Sequence, residues 1–485
     1  MQPNFLSSQN LWLAGPEIFL LVMTCVIMLV DLFSDDDKRE GRLSFLSIFT
    51  LLLTAALCLI NTVPEAHYAF GGMFVLDGMA VLLKAAIAIA VAMVIVYSRA
   101  YLAQRKLFSG EFILLILFAT LGMMIMVSAN NFVALYLGLE LLALSSYAMV
   151  ALNRDSVTSS EAAMKYFILG ALASGLLLYG LSMIYGATGS LDVAKVARII
   201  EASRANDPLI TFGLVFLVAG LAFKLGVVPF HMWIPDVYHG APTAMTLFIG
   251  SAPKIAAFGF VMRILGDSLA GAVGDWQTML MYMAIASLAL GNIVAIAQTN
   301  LKRMLAYSTI SHMGFLLLGI LAGTKNGYSA GMFYVITYVL MTLAGFAMIM
   351  LLSRSGFEAD QLDDFKGLNQ RSPWYAFLML IVMFSMAGIP PFLGFWAKLA
   401  VLEGALNAGY TWLVVFAVLM SVIGAYYYLR VVKLMYFDAP TDQSPIVAGA
   451  GFRGLLALNA MGLLVLGLFP GVVMTACLNA IARSL

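Results

Sequence analysis

Long apolar stretches, separated by short polar segments, recur along the whole chain. Each covers roughly 20 residues, the length that an α-helix needs to cross ~30 Å of hydrocarbon. We predict fourteen transmembrane spans from this pattern, and because the longest connections between them are short, we predict no separate extramembrane domain. The spans are 11–33, 43–62, 74–97, 111–128, 131–151, 163–185, 208–230, 241–264, 276–298, 304–323, 328–352, 373–403, 410–436 and 454–481. The expected fold is an all-α polytopic membrane protein.

The composition agrees with this prediction. Hydrophobic residues make up 62% of the chain and charged residues 11%, whereas soluble domains average about 25% charged residues. This excludes an ordinary water-soluble protein. The net charge is +1, and no basic run resembles a nucleic-acid-binding patch, so we expect no nucleic-acid partner. Cys25, Cys58 and Cys477 lie far apart in apolar stretches, which excludes a C-x-x-C site and predicts buried packing residues.

The basic residues of the connecting segments are unevenly distributed between the two sides of the membrane. One side carries Lys38, Arg39, Arg42, Arg99, Arg105, Lys106, Arg154, Lys302, Arg303, Arg354, Lys366, Arg371, Arg430, Lys433 and Arg453. The other side carries Lys195, Arg198, Arg204, Arg263, Lys325 and Arg483. Because basic loops concentrate in the cytoplasm, the richer side is predicted to be cytoplasmic. Both termini are then expected on the other, periplasmic side.

Five lysines remain inside the predicted spans, where an ammonium costs ~3 kcal/mol on insertion scales. They are Lys84, Lys165, Lys224, Lys254 and Lys398. The acids that can accompany them are Glu140, Glu403, Asp31 and Asp77. Burial favours the neutral form of an amine, and a nearby carboxylate favours its charged form, so moving the partner makes such a lysine bind or release a proton. A series of these groups predicts a proton relay. The alternative is that each lysine only pairs with an acid and joins helices, which is favoured for Lys84 and Lys165 because they lie nearer span ends.

Prolines interrupt two of the spans beside these lysines. Pro229 cannot donate a hydrogen bond to the turn before it, so we predict that the seventh span breaks just after Lys224. Pro390 and Pro391 predict a second break in the twelfth span, with Lys398 seven residues beyond Pro391. Backbone groups freed at membrane depth are tolerated only inside protein or along a hydrated cavity. The two breaks therefore predict two hydrated half-sites.

The two interrupted segments also resemble one another, with VVPFHMWIPD in the first and IPPFLGFWAK in the second. They stand five spans apart, which predicts two five-helix repeats. Because each repeat has an odd number of helices, the second would enter the membrane from the opposite side, as in many transporters. The predicted units are a three-helix segment at 1–110, repeats at 111–264 and 276–436, and a C-terminal helix at 437–485.

Two motifs carry a resemblance to a known family. They are KLGVVPFHMWIPDVYHGAPTAMTLFIGSAPKIAAFG, which begins at Lys224, and LKRMLAYSTISHMGF at 301–315. This sequence resembles the proton-translocating, antiporter-like membrane subunits of respiratory NADH:quinone oxidoreductase (complex I). GAPT followed by SAPK, and a chain that ends at the fourteenth span, resemble the N-type branch. The L-type branch continues into a long lateral helix.

The resemblance implies roles for individual residues. Glu140 in the fifth span would pair with Lys224 in the seventh, Lys254 would be the central relay residue, and Lys398 would lie at the exit-side half-channel. His312 lies where a histidine would bridge the two halves. The implied pathway runs from the Glu140 and Lys224 pair through Lys254 and His312 to Lys398.

The resemblance also implies the setting of the chain. Such subunits bind no cofactor themselves, and the NADH, FMN, iron–sulfur clusters and quinone belong to the parent complex. The expected partners are other membrane-arm subunits, including sister antiporter-like subunits, and membrane lipids. The expected location is the bacterial inner membrane.

Three alternatives remain open on the sequence alone. A Na⁺/H⁺ antiporter subunit would use nearly the same relay, and sodium-dependent flux through this chain would favour it. A membrane hydrogenase complex uses related subunits, and hydrogen-dependent activity of the parent assembly would favour that setting. A passive membrane scaffold would tolerate alanine at Lys224, Lys254 and Lys398.

Overall fold

The computed structural model describes residues 7–34, 36–203 and 207–484, except for the side chains at 36–38 and 203. Two basic residues of the predicted orientation pattern are affected, since Arg204 and the side chain of Lys38 lie outside the described residues. Within the described ranges, thirteen helices are long and apolar enough to cross a membrane. The predicted all-α polytopic membrane fold is confirmed.

The helices of the first half are α1 Ser8–Leu13, α2 Gly15–Leu32, α3 Asp36–Ile60, α4 Gly78–Gln104, α5 Gly110–Ser128, α6 Phe132–Val150, α7 Val157–Thr188, α8 Val193–Ser203, α9 Pro208–Leu225, α10 Trp233–Gly240, α11 Thr243–Gly250 and α12 Ala252–Val261. The second half contains α13 Val273–Ile296, α14 Leu301–Leu321, α15 Lys325–Leu352, α16 Leu368–Arg371, α17 Pro373–Ala387, α18 Leu393–Asn407, α19 Thr411–Phe437, α20 Ala450–Leu468 and α21 Gly471–Ala482. A π-helical turn, Met262–Ser268, continues α12. Short 3₁₀ turns occupy Phe70–Gly72, Ala270–Ala272 and Leu362–Phe365.

The predicted twelfth span consists of two helices in the structure. Helices α17 and α18 are separated by residues 388–392, and neither half alone is long enough to count as a span, which explains thirteen long helices where fourteen spans were predicted. In the predicted seventh span, α9 ends at Leu225 and α10 begins at Trp233. The peptide bonds before Pro229 and Pro391 are both cis. The inverted five-helix repeats and the unit boundaries at 1–110, 111–264, 276–436 and 437–485 remain predictions.

Polar side chains at the span boundaries determine where several helices begin. The predicted split between the fourth and fifth spans is confirmed, because α5 ends at Ser128 and the Asn131 side chain accepts a hydrogen bond from the backbone of Val133 at the start of α6. Asn300 caps α14 in the same way through the backbone N–H of Arg303. Such caps satisfy backbone donors that a helix leaves without an internal partner.

The predicted start of the third span is wrong by about one turn. Residues Phe74–Leu76 form β2, which pairs antiparallel with β1, His67–Ala69, and places Tyr68 opposite Val75. The helix α4 begins only at Gly78, because Asp77 caps it by accepting a hydrogen bond from the backbone of Ala80. The residues before Asp77 are as apolar as the helix, so the sequence signal for this boundary was the polar cap residue Asp77 itself.

The core lies between the central helices. Helices α11, α12, α14 and α15 are almost entirely enclosed by the rest of the chain, whereas at most about a third of the residues in α2, α19 and α20 are buried. Close approach of backbones contributes to this packing. A Cβ added at Gly122 on α5 would lie 2.7 Å from the carbonyl oxygen of Gly138 on α6, so these two helices meet through glycines. The enclosed helices are those that carry Lys254 and His312.

Candidate functional site

Lys224 lies one residue before the end of α9. The helix stops at Leu225 because Gly226 adopts a left-handed conformation, with φ of 82°, which a residue without a Cβ adopts at little cost. The predicted break just after Lys224 thus coincides with a helix end. The Lys224 ammonium lies 5.7 Å from the centroid of the Phe223 ring.

Lys254 connects α12 to the end of α9. Its buried ammonium donates hydrogen bonds to the carbonyl oxygens of Leu225, at 2.8 Å, and Lys224, at 3.3 Å. It also lies 5.2 Å from the centroid of the Trp233 ring. The last carbonyls of a helix have no partner within it and carry the negative end of its dipole. These carbonyls therefore stabilise a cation on Lys254 in an apolar surrounding, where no carboxylate of the described residues forms an ion pair with it.

A small cavity joins the two lysines. Its volume is about 30 Å³, and its wall includes Lys224, Lys254, Ser146, Tyr166 and Trp233. One water molecule requires ~10–15 Å³, so the cavity has room for at least one. A water here would lie between an amine on α9 and an amine on α12, which is the arrangement that proton transfer between them requires.

Glu140 lies on α6, next to this cavity. The neighbouring α6 residues Leu139 and Ala143 line the cavity, and one carboxylate oxygen of Glu140 is buried without a hydrogen-bond partner among the described residues. Lys224 lines the same cavity. In the described part of the chain, however, no ion pair within 4.0 Å joins Glu140 and Lys224. The structure thus brings the predicted pair into one region without direct contact.

Lys398 repeats the geometry of Lys254 at the second interruption. Its buried ammonium donates to the carbonyl oxygen of Ala387 at 2.8 Å and to the Ser421 hydroxyl at 3.0 Å. Ala387 is the last residue of α17, which ends at Gly388 with φ of 84°. Each interruption therefore has a left-handed glycine and a lysine ammonium on the carbonyl that precedes it.

His312 lies in a network of hydroxyl groups between α14, α15 and α19. Its Nδ1 lies 2.7 Å from the Tyr334 hydroxyl and its Nε2 lies 3.1 Å from the Tyr428 hydroxyl, which in turn contacts Ser308. Tyr334 stacks on Phe315, whose ring centroid is 5.0 Å from the Lys398 ammonium. His312 is therefore close to the Lys398 site, and within the described residues no hydrogen bond joins it to Lys254.

The sequence prediction missed the tyrosines of this network. Tyr334 lies in the apolar stretch MFYVITYVLM of α15, and Tyr428 lies in GAYYYLR of α19. Their hydroxyl groups were a polar signal inside predicted spans. Aromatic residues are also common packing residues in such spans, so composition alone does not distinguish the two roles.

The partners in two buried charge clusters were also missed. The Lys84 ammonium lies 2.7 Å from Glu17 and its side chain has 0% exposure, so Lys84 pairs with an acid between helices, as the alternative favoured for it states, but Glu17 was not among the expected acids. Arg263 was expected in a loop, but it is buried between Asp77, at 2.8 Å, and Asp267, at 3.0 Å. The sequence signals available for these pairs were the acid Glu17 inside the first predicted span and the base Arg263 inside the eighth.

The other predictions about single residues have mixed outcomes. Lys165 is partly exposed and pairs with Asp236 at 2.8 Å, as the helix-joining alternative favoured for it states. Cys58 and Cys477 are buried free thiols, but Cys25 is exposed, so its prediction as a buried residue is wrong. Among the residues that the structure describes, no group of three His, Cys, Asp or Glu side chains is arranged to hold a metal ion.

Comparison with known proteins identifies the family. The model of the NADH:quinone oxidoreductase/Mrp antiporter transmembrane family matches residues 129–424, which include both interruptions and all five candidate relay residues. The chain belongs to this family. A relative in the family, NADH-quinone oxidoreductase subunit N of Nitrosomonas europaea, is 59% identical over 97% of this chain and 98% of its own length. The subunit N of Thiobacillus denitrificans is also 59% identical, over 97% of each chain.

Chains of two solved structures share the fold. A chain of respiratory complex I from Thermus thermophilus with bound aureothin superposes with a TM-score of 0.82 at 31% identity, covering 96% of this chain and 100% of that one. A chain of the Mrp complex from Dietzia sp. superposes with a TM-score of 0.86 at 22% identity, covering 98% and 97%. The second likeness concerns the fold alone.

Proposed function

We propose that this chain is a proton-translocating membrane subunit of a respiratory NADH:quinone oxidoreductase, and that its protons move through Glu140, Lys224, Lys254, His312 and Lys398. The observation that carries the proposal is the Lys254 ammonium on the last carbonyls of α9, beside Lys224, in a cavity with room for at least one water. The near-full-length likeness to curated subunit N proteins supports the oxidoreductase setting.

The first transfer takes place between Lys224 and Lys254. A protonated Lys224 gives its proton through the cavity to a neutral Lys254, and the α9 carbonyls stabilise the ammonium that forms there. Glu140 controls this step, because a carboxylate close to Lys224 holds its proton and a more distant one releases it. Quinone reduction elsewhere in the complex perturbs the Glu140 and Lys224 pair and so provides the driving force.

The second transfer carries the proton to Lys398 by way of His312. The imidazole nitrogens each meet a tyrosine hydroxyl, so the ring can exchange a proton on either side. Since no direct hydrogen bond links Lys254 with His312 in the described residues, this step requires water or side-chain rotation between them. The Ala387 carbonyl and Ser421 then stabilise the ammonium of Lys398 before the proton leaves.

The rest of the assembly supplies the redox chemistry. In this proposal NADH, FMN, the iron–sulfur clusters and the quinone bind to other subunits, and this chain has no redox centre of its own. Its neighbours are sister antiporter-like subunits of the membrane arm and membrane lipids. It lies in the bacterial inner membrane with both termini in the periplasm, as the distribution of basic residues predicts.

Purification of the tagged chain from its own membrane tests the setting. In mild detergent we expect it to copurify with flavin and iron–sulfur subunits, and the preparation should reduce quinone with NADH. Recovery with only other antiporter-like chains, together with sodium-dependent proton flux in vesicles, would instead assign it to an antiporter. Hydrogen-dependent activity of the preparation would assign it to a hydrogenase complex.

A further inference from the structure

A second cavity lies outside the proposed proton pathway. Its volume is about 400 Å³, and it is enclosed by the first turns of α15, the last turns of α18 and the helix α21. Gly404 and Gly471 lie in its wall. A Cβ at Gly404 would come within 3.3 Å of the Gly327 backbone on α15, so the helices meet at one edge of the cavity. Because these glycines have no side chains, the space between the helices remains open.

The polar wall of this cavity carries one charge. Glu403 projects into it from α18, together with four neutral groups that have oxygen acceptors, Asn326, Ser329, Asn407 and Thr475. No basic side chain lines the cavity, and within the described ranges no ion pair within 4.0 Å involves Glu403. Lys325 precedes Asn326 but does not line it. Glu403 is exposed and has no cation of this chain beside it in the described residues, so its carboxylate is free to pair with a positively charged occupant from outside the chain.

The position of Glu403 indicates a lipid headgroup. Glu403 lies one turn before α18 ends at Asn407, and Trp412 at the start of α19 is 55% exposed. Exposed tryptophans mark the membrane–water interface. The surface beside the cavity is apolar and exposed, with Leu399, Leu406, Val472 and Leu478. A ligand that places a cation at Glu403 and acyl chains on these residues would contact both the charged cavity and the apolar surface beside it.

We infer that this cavity binds a phospholipid whose headgroup carries a primary ammonium, with the ammonium on Glu403. A primary ammonium has three N–H donors, and the cavity offers the carboxylate oxygens of Glu403 and the amide and hydroxyl oxygens of its neighbours. A trimethylammonium headgroup has the same charge but no donor. The site therefore discriminates between ethanolamine and choline lipids.

Photocrosslinking in the assembled complex tests this inference. The complex is placed in nanodiscs with photoactivatable phosphatidylethanolamine or photoactivatable phosphatidylcholine at equal concentration, and labelled peptides of α15, α18 and α21 are quantified. We expect labelling by the ethanolamine lipid to exceed labelling by the choline lipid about tenfold, as for charge-assisted hydrogen bonds. Glu403→Gln should abolish this preference, and Glu65→Gln, at an exposed carboxylate outside the cavity, should keep it.

The comparison of the two lipids on the unmodified complex needs no variant, so a failure of Glu403→Gln to assemble leaves the test intact. Equal labelling by both lipids would overturn the inference. So would an unchanged preference in Glu403→Gln. Absence of lipid labelling from these three helices would also overturn the inference.

Discussion

Replacing Lys254 with alanine is expected to stop proton transfer through this chain while the complex still assembles. The variant removes an amine that lies between Lys224 and the rest of the pathway, and loss of one acid–base group slows proton transfer by about 10²–10⁴-fold. The variant is expected to lose only about 1–3 kcal/mol of folding stability, because the Leu225 carbonyl is left without its hydrogen-bond donor. The measurement is the ratio of protons pumped to NADH oxidised in inverted membrane vesicles.

Two further variants separate proton transfer from structure. Lys254→Arg keeps a cation near the α9 carbonyls, but a guanidinium does not release its proton in proteins, so it should also fail to pump. Lys195→Ala removes an exposed lysine from α8 and should leave the ratio unchanged. Full pumping by Lys254→Arg would mean that Lys254 only holds α12 against α9, as the scaffold alternative states.

The second large effect concerns stability, and it is expected at Arg263. Alanine at this position leaves the buried Asp77 carboxylate and the partly buried Asp267 carboxylate without their cation, and breaking a buried ion pair costs about 3–5 kcal/mol. We therefore expect little assembled complex in Arg263→Ala membranes. The abundance of the complex on native gels measures this.

A compensating variant provides the control. Arg263→Met combined with Asp77→Asn and Asp267→Asn removes all three charges, and asparagine can still cap α4 as Asp77 does. Assembly should recover in large part, because replacing a whole buried charge cluster with neutral groups is far less costly than removing one member. Normal assembly of Arg263→Ala alone would contradict the structural role given to this residue.

The sequence predicted the features that depend on local chemistry. Apolar length predicted the spans, Asn131 marked the start of α6, and Pro229 and Pro390 stood beside helix ends that the structure places at Leu225 and Ala387. Each of these depends on residues within a few positions along the chain. The five candidate relay residues came from their charge or imidazole inside apolar spans and from the family resemblance.

Features that depend on distant residues could not be predicted. Glu17 and Lys84 lie 67 positions apart and meet only because α2 packs near α4. Arg263 lies near a predicted span end, and only the fold places Asp77 beside it. The His312 network joins three helices. Pairing of this kind follows from how helices pack, and the hydrophobic pattern of a single span carries no information about its neighbours.

NADH-driven proton pumping by complexes that carry Glu140→Ala or Lys224→Ala is the most direct test of a relay through this chain. Quinone reduction and subunit composition are measured in the same preparation, so that loss of pumping is distinguished from loss of assembly. The proposed pathway predicts a fully assembled complex with clearly reduced pumping and reduced coupled quinone reduction in both variants. Normal pumping by a fully assembled complex in both would contradict it.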